Sequence, residues 1–499
     1  MMEMLVPIIL SGGNGSRLWP ISREACPKPF MQFGDSTSLL QATFKRAANL
    51  PDVTQIITTT NTAYYEQSRQ ELSQLNLEKK VQFRFLLEPV SKDTAPAILF
   101  SAFFIQKIIS PEAILLILPA DHTIDNETQF HCCVQQATEL AKQGLVVTFG
   151  ITPDKPEIGY GYIHYANCYA NSQGYHVENF YEKPSIQVAK KFLEEKNYLW
   201  NSGIYCFSIT TLVSSIKKYN PTLYDKALVC WDITKKNIFL KKGLVEKVYL
   251  DTDSFKKLET LSIDYAISEK IKNIAVIPAS FRWSDVGTWN TFQKLLNADK
   301  NNNCTVGKVI LKNSKNTTIY NKNQQKNRLI VGLGLNNLIV IDTCDALLIS
   351  NQEDTQMIKQ IVTELKENKQ DSYQHYHTVY RPWGHFTVLN EEKNYKIKRI
   401  VVNPNSSLSL QIHQHRCEHW VVIEGVATVE NNLDKLTLKE KESTFIQTGH
   451  KHRLKNLTNK SLVIIETQIG SYLGEDDIIR LEDDYHRQDT AHQETANTF

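Results

Sequence analysis

The stretch Leu10-Ser-Gly-Gly-Asn-Gly-Ser-Arg-Leu-Trp-Pro20, with Pro27-Lys28 downstream, places two cations beside three glycines, Gly12, Gly13 and Gly15. Glycines let a backbone approach a ligand closely and turn its N–H groups inward, the usual way phosphate oxygens are cradled. Arg17 adds a planar, bidentate phosphate binder, and Lys28 a point charge. The loop is not a dinucleotide fingerprint, because Leu18 stands where a third glycine would be. Nor is it a Walker A loop, since no Gly-Lys-Ser/Thr closes it. Two readings follow from these residues alone: a phosphate-binding loop of another kind, or a glycine-rich turn.

A second group of residues suggests metal chemistry. Ser409-Leu-Gln-Ile-His-Gln-His-Arg-Cys-Glu-His-Trp420 alternates apolar and polar residues, which predicts His413 and His415 on one face of a strand. With Glu418 and the distant His452 they make three imidazoles and a carboxylate. That set suits Zn²⁺, Mn²⁺, Co²⁺ or Fe²⁺.

The elements that must position these groups differ along the chain. Up to about residue 150, apolar runs at Leu5–Leu10, Gln55–Thr60, Phe83–Glu88, Ala113–Pro119 and Leu145–Ile151 alternate with helical patterns at Leu39–Leu50, Thr62–Leu75, Thr94–Ile109 and Phe130–Lys142. This order predicts an α/β domain with an open, mostly parallel sheet covered on both faces. Ligands of such sheets sit at the carboxyl ends of the strands. The glycine loop, Glu88-Pro89 and Pro119-Ala-Asp-His122 should therefore line one crevice. From 155 to 290 the texture is mixed, and it carries Gly159-Tyr-Gly-Tyr162, Glu182-Lys-Pro184, Trp200-Asn-Ser-Gly203 and Trp283-Ser-Asp-Val-Gly287. We read the boundaries as 1–295 for the first domain and 296–370 for a small β/helical connecting region. An all-β domain at 371–485 and a disordered tail at 486–499 complete the chain.

Length, composition and charge exclude several classes. At 499 residues the chain exceeds what one hydrophobic core serves. With 41% hydrophobic and 22% charged residues and a net charge of +2, it has no general nucleic-acid or membrane-surface footprint. The apolar stretch behind Met-Met-Glu-Met is too short for a signal h-region or a membrane span, so a cytoplasmic protein is expected. Nine cysteines without a Cys-x-x-Cys pair read as reduced thiols.

The loop spacing resembles the signature of sugar-1-phosphate nucleotidyltransferases. With Glu88-Pro-Val-Ser-Lys-Asp-Thr-Ala-Pro-Ala97, Pro119-Ala-Asp-His122, Glu182-Lys-Pro184, Trp200-Asn-Ser-Gly203, Ser262-Ile-Asp-Tyr-Ala266 and Trp283-Ser-Asp-Val-Gly287, essentially the whole chain is similar to bacterial mannose-1-phosphate guanylyltransferases. The resemblance implies a Rossmann-like domain that transfers GMP from GTP to mannose 1-phosphate. Such a transfer needs positive charge, a divalent metal and in-line positioning. Arg17 and Lys28 would hold the triphosphate and departing pyrophosphate, Asp121 and Asp285 would hold Mg²⁺, and Lys183 would neutralise the sugar phosphate. Glu182, Asn201 and the backbone at Gly161 would hold sugar hydroxyls. The family usually carries Arg-Asn before Thr-Ala-Pro-Ala, where this chain has Lys92-Asp93. Asp93 either accepts from guanine, which presents two adjacent donors, or caps the following helix.

The pattern His413-x-His415-x-x-Glu418, Gly425, and later Gly449-x-x-His452-x-x-x-Asn456 is similar to the two motifs of the cupin superfamily. Asn405 stands where related proteins usually have glycine, and Gln447 replaces a common proline. Together with Tyr380-Arg-Pro-Trp-Gly384 the segment resembles type II phosphomannose isomerases, in which a cupin barrel is fused behind a guanylyltransferase. That implies interconversion of mannose 6-phosphate and fructose 6-phosphate, with a metal polarising the oxygens and a base moving a proton between C1 and C2. Arg416 would bind the phosphate or stabilise the enediolate. The alternative is a guanylyltransferase whose cupin serves as a structural or sugar-binding module. A homo-oligomer stays open.

Overall fold

In the computed structural model the described residues are 4–485, except 14, 34–36, 170–172, 240–245, 323–327, 369 and 374–377. The expected tail at 486–499 lies outside the described residues. The chain divides into two compact units, Met1–Gln374 and His375–Phe499. Among the described residues no helix is long and apolar enough to cross a membrane.

The first unit is built on a ten-stranded sheet. Its spatial order is Lys247–Tyr249, Gln82–Glu88, Gln55–Asn61, Leu5–Ser11, Ile114–Pro119, Tyr198–Ser208, Val146–Ile151, Ile274–Pro278, Tyr175–Tyr181, Tyr162–Cys168. The first five strands run parallel, with Leu10 beside Pro119 and Ser11 beside Thr60. They read as continuous apolar runs because both faces are covered. Helix Thr94–Ile108 packs in the core on one face, and helices Leu39–Ala48 and Glu127–Lys142 belong to the core on the other. Tyr198–Ser208 enters antiparallel between Ile114–Pro119 and Val146–Ile151. The sheet is therefore mixed beyond its first half, since a strand arriving from far along the chain can join in either direction.

Residues 304–351 form stacked short strands. Cys304–Val306, Thr318–Asn321 and Leu338–Asp342 pair in parallel and Leu347–Asn351 closes the row, while Val309–Lys312 pairs with Ile330–Leu333. Asn302, Asn313, Asn316 and Asn337 have φ between 48° and 59°. The asparagine richness of this stretch thus supplies left-handed corners, which this side chain tolerates. Ile319, Tyr320, Ile339 and Ile341 share a core with Leu18, Trp19, Ile21 and Met31, so these strands buttress the foot of the glycine loop.

The second unit is all β. One antiparallel sheet runs Thr378–Arg381, Gly384–Glu392, Tyr395–Val402, Leu462–Gly470, Arg416–Glu424, Ser443–Ile446; the other runs Asp434–Leu438, Ala427–Asn431, His452–Asn456, Leu410–His413, Ile478–Glu482. Inward positions change character along the strands. Ile400, Val402, Trp420, Val422, Leu462 and Ile464 make an apolar core, whereas Lys396, Lys398, Arg416, Glu418, Glu466 and Gln468 are buried polar groups on the same strands.

Candidate active sites

The glycine loop leaves the central strand at its carboxyl end, where a cleft of about 500 Å³ opens. Gly12, Gly13, Glu88, Asp93, Asp121, His122 and Asp264 are among its lining residues. A Cβ at Gly12 or Gly13 would meet nothing within 4 Å, so these glycines leave open room rather than satisfy a packing need. Gly15 differs: at φ +54°, a Cβ there would lie 2.5 Å from Lys28 Cβ. The turn keeps Gly15 against Lys28, as glycine alone allows.

Lys28 ties the transferase residues together. Its ammonium donates to Asp121 Oδ2 at 2.8 Å and to the Asp285 carbonyl. Asp285 Oδ1 accepts from the Tyr160 hydroxyl at 2.5 Å and from Gly287 N–H at 3.1 Å. Val286 between them sits at φ 47°, an outlier for a β-branched residue, and it turns the Asp285 carbonyl toward Lys28. Burial pushes Asp121 up, but Lys28 outweighs it and holds the carboxyl below its ordinary value. His122 receives the Trp283 indole N–H at 3.2 Å, and burial drops its imidazole to about 4. Among the described residues Asp285 Oδ2 accepts no hydrogen bond, and Asp121 Oδ1 is faced only by His122 Nε2 at 3.7 Å. Two carboxylates each with an open oxygen fit Mg²⁺, which takes one or two such ligands and completes its shell with phosphate oxygens.

The remaining expected residues lie around this centre in different states. Arg17 is exposed on the turn Ser16–Leu18 and makes no ion pair or hydrogen bond among the described residues. Lys183, at φ 47°, is paired with Glu182, and a Cβ at Gly161 would lie 2.7 Å from Glu182 Oε2. Asn201 accepts from Thr148 at 2.8 Å and donates to Asp264 at 2.8 Å, and its own N–H reaches the Gly161 carbonyl. Its amide is therefore committed to a buried network. Asp93 takes the capping alternative: its Oδ1 accepts from Thr94 N–H at 2.7 Å while the residue still faces the cleft. Trp200 packs on Tyr160 with ring centroids 5.2 Å apart.

Sequence reasoning put Glu88 at the crevice and Asp264 inside a quoted motif, but gave neither a role. Glu88 is 5% exposed, and its Oε1 has no hydrogen-bond partner. Burial, helped by Asp93, pushes its carboxyl up to about 8. Asp264 accepts from Tyr205 and Asn201, and burial raises it. An acidic residue ending an apolar strand was the available signal for Glu88.

In the second unit His413, Glu418 and His452 converge, with ligand atoms within 4.8 Å of one another. His413 Nε2 lies 3.0 Å from Glu418 Oε1, and His452 Nε2 lies 3.7 Å from Glu418 Oε2. His413 Nδ1 is buried without a partner. His415 stands apart from these three in the structure. The strand Leu410–His413 ends before it, so the alternation that would align 413 with 415 is broken, and its side chain, 53% exposed, turns to Asp477 with Nδ1 2.7 Å from Oδ1. Alternation holds in the other direction. Gln411 is buried two residues earlier, its amide 3.4 Å from Nε2 of both His413 and His452. Two imidazoles, a carboxylate and an amide suit a borderline divalent ion such as Zn²⁺, Co²⁺ or Mn²⁺.

Arg416 is fully buried, donating Nε to Glu418 Oε1 at 3.2 Å and Nη1 to the Gly474 carbonyl at 2.8 Å. It orients the Glu418 carboxylate. Trp420 Nε1 bridges Glu418 Oε2 and Glu466 Oε2, each at 3.1 Å. Burial pushes Glu418 up, but hydrogen bonding from His413 and nearby cations pull it well below the usual range. Glu466, buried and facing the Glu418 charge, rises to about 8.

Three family models match the chain: Nucleotidyl transferase over residues 6–302, MannoseP isomerase/GMP-like beta-helix domain over 307–365, and Mannose-6-phosphate isomerase C-terminal over 367–483. The Xanthan biosynthesis protein XanB of Xanthomonas campestris pv. campestris is 38% identical over 97% of this chain and 100% of its own length. The alginate biosynthesis protein AlgA of Pseudomonas syringae pv. tomato is 36% identical, over 97% of each chain. Mannose-1-phosphate guanylyltransferase RfbM of Salmonella typhimurium is 36% identical, over 96% of each. A Thermus thermophilus crystal structure named mannose-1-phosphate geranyltransferase superposes with TM-score 0.61 at 27% identity, covering 73% of this chain and 100% of that one. The chain belongs to the nucleotidyl transferase family, among the mannose-1-phosphate guanylyltransferases that carry a C-terminal mannose-6-phosphate isomerase domain.

Proposed function

We propose that the first unit transfers GMP from GTP to mannose 1-phosphate, releasing pyrophosphate and GDP-mannose, and that the second interconverts mannose 6-phosphate and fructose 6-phosphate. One observation carries the transferase reading: the Lys28 ammonium sits between Asp121 and Asp285 beside the glycine loop, in a chain aligned with guanylyltransferases almost end to end. Two anions must be brought together for this transfer, and Lys28 with the loop N–H groups places fixed positive charge where they meet. Arg17, unpaired on its turn, is available to the leaving pyrophosphate. Mg²⁺ held by Asp121 and Asp285 would neutralise the charge on the transferred phosphoryl group. Lys183 and Glu182 take the sugar phosphate and a sugar hydroxyl, with Asn201 holding the backbone at Gly161. Glu88, whose Oε1 has no hydrogen-bond partner among the described residues, lines the cleft, and its ionised carboxyl matches the adjacent N1–H and N2–H donors of guanine, supporting GTP over ATP.

In the second unit His413, Glu418 and His452, with the Gln411 amide beside them, would hold a divalent metal, which would supply Lewis-acid polarisation of the sugar's carbonyl and hydroxyl oxygens. Arg416 aims the Glu418 carboxylate. The two activities share one route, separated by a phosphomutase step that this chain does not supply.

The test is a substrate panel on the full chain. Pyrophosphate release with GTP and mannose 1-phosphate should exceed that with ATP or with glucose 1-phosphate at least about tenfold, the discrimination one well-matched polar contact provides. Equal rates would overturn the base or the epimer assignment. After loading with Zn²⁺, Co²⁺ or Mn²⁺, the same protein should form fructose 6-phosphate from mannose 6-phosphate, and no turnover with any of them would remove the isomerase reading.

A further inference from the structure

The polar end of the second unit's barrel holds a cationic cradle that is already occupied by one of the protein's own carboxylates. Lys398 is on the inward face of strand Tyr395–Val402, its side chain 5% exposed, and Nζ donates to Glu475 Oε1 at 2.5 Å. The nearby charges of Arg416 and Arg381 also act on Glu475, and although burial raises it, Lys398 and these two arginines bring its carboxyl down to about 2. All four side chains line the same cavity as Glu418 and Gln411.

Size decides what this means. The cavity measures about 50 Å³, room for a few water molecules at roughly 10–15 Å³ each on this measure and short of a hexose phosphate. A hexose phosphate can enter only by displacing something, and Glu475 is the group positioned to leave. It is an anion held by cations, as a phosphate would be, and its side chain is 43% exposed, so solvent is open to it. The backbone around it is fixed: Arg416 holds the Gly474 carbonyl, and Asp477 accepts from the Gln414 and His415 N–H groups. Release thus requires rotation of one side chain. Glu466, the other carboxylate near Lys398 at 3.9 Å, is buried deeper and clasped by Trp420 and Gln468, so it has no comparable exit.

We propose that Lys398, with Arg381 and Arg416, is the subsite for the phosphomonoester of the sugar phosphate, and that Glu475 occupies it as an internal substitute which the phosphate displaces. This rests on the isomerase reading of the second unit. Binding competes with the internal carboxylate, so apparent affinity is lowered by the fraction of molecules in which Glu475 is docked. The direction is opposite to that of a residue that binds substrate: removing its charge tightens binding.

The experiment measures mannose 6-phosphate and mannose binding to the full-length, metal-stripped protein by calorimetry, with near-ultraviolet circular dichroism and urea unfolding of the same protein as the control for folding of the second unit. Glu475→Gln should tighten mannose 6-phosphate binding about threefold or more. Lys398→Gln should weaken it about tenfold, the loss of one charge-assisted bond, with mannose itself unaffected in both. Weaker binding by Glu475→Gln, or unchanged binding by Lys398→Gln, in a protein folded by both controls would overturn the proposal. Phosphate-dependent binding that responds as expected, in a metal-loaded enzyme that does not isomerise, would remove the isomerase reading and leave the subsite standing.

Discussion

The Lys28 ammonium lies 2.8 Å from Asp121 Oδ2, joining the short helical turn after the glycine loop to the end of the neighbouring strand. The pair is mostly shielded, with the Lys28 side chain 7% exposed, so the charge cannot be supplied by solvent when it is removed. Lys28→Met should lower pyrophosphate release about 100-fold, in the range for deleting one preorganised charge at a reacting centre. Isomerisation by the same protein should be unchanged. A loss smaller than about threefold would show that Lys28 serves structure rather than transfer.

Among the described residues Arg17 makes no ion pair or hydrogen bond, so its replacement separates function from stability. Arg17→Ala should unfold at the wild-type urea midpoint while GDP-mannose synthesis is abolished and isomerisation persists. If both activities fell together in a folded protein, the division into two independent sites would be wrong.

Metal content distinguishes His415 from the three convergent groups. His413→Ala and His452→Ala should each abolish stoichiometric metal, read by elemental analysis, whereas His415→Ala should retain it. Gln411→Ala should weaken metal affinity about 10–100-fold, the effect of losing a group that supports the ligands. Full metal loss in His415→Ala would restore the spacing-based expectation.

Glu88 gives a pH signature of known sign. Its carboxyl titrates near 8 in the folded state against an ordinary value of 4.5, so the native protein holds a proton that the unfolded chain has released between those values. The stability contribution is complete below the lower value and is lost as pH rises through the upper one. Urea unfolding from about pH 5 to about pH 8 should therefore show declining stability that flattens in Glu88→Gln. GTP should also bind more tightly as pH rises toward 8, with proton release, because guanine's donors need the ionised form. A pH-independent GTP affinity would remove Glu88 from the base subsite.

Much of the first unit was legible locally. Runs such as Leu5–Leu10 and Ala113–Pro119 are apolar throughout because helices cover both faces of the sheet, and that pattern needs no partner to be recognised. The placement of Tyr198–Ser208 between two strands of the first half was not legible, since its direction depends on pairing with Ile117 and Ile151, distant in sequence. In the second unit Lys396, Lys398, Glu466 and Gln468 occupy alternate positions of exposed-looking character, so they read as a solvent face. They are buried, and they include the groups that give the barrel its polar interior.

By itself the sequence determined which chemical groups are present and the order of the elements that bear them: the glycine loop with Arg17 and Lys28, the strand-end carboxylates, and three histidines and a glutamate offered as a metal set. Only the tertiary structure decided which of these meet. Period-two alternation predicts a common face only while a strand continues, and the strand ends at His413. Gln411 therefore lies beside His413 and His452, and His415 turns outward to Asp477. Convergence of Lys28, Asp121 and Asp285 depends likewise on long-range pairing, which no local pattern encodes.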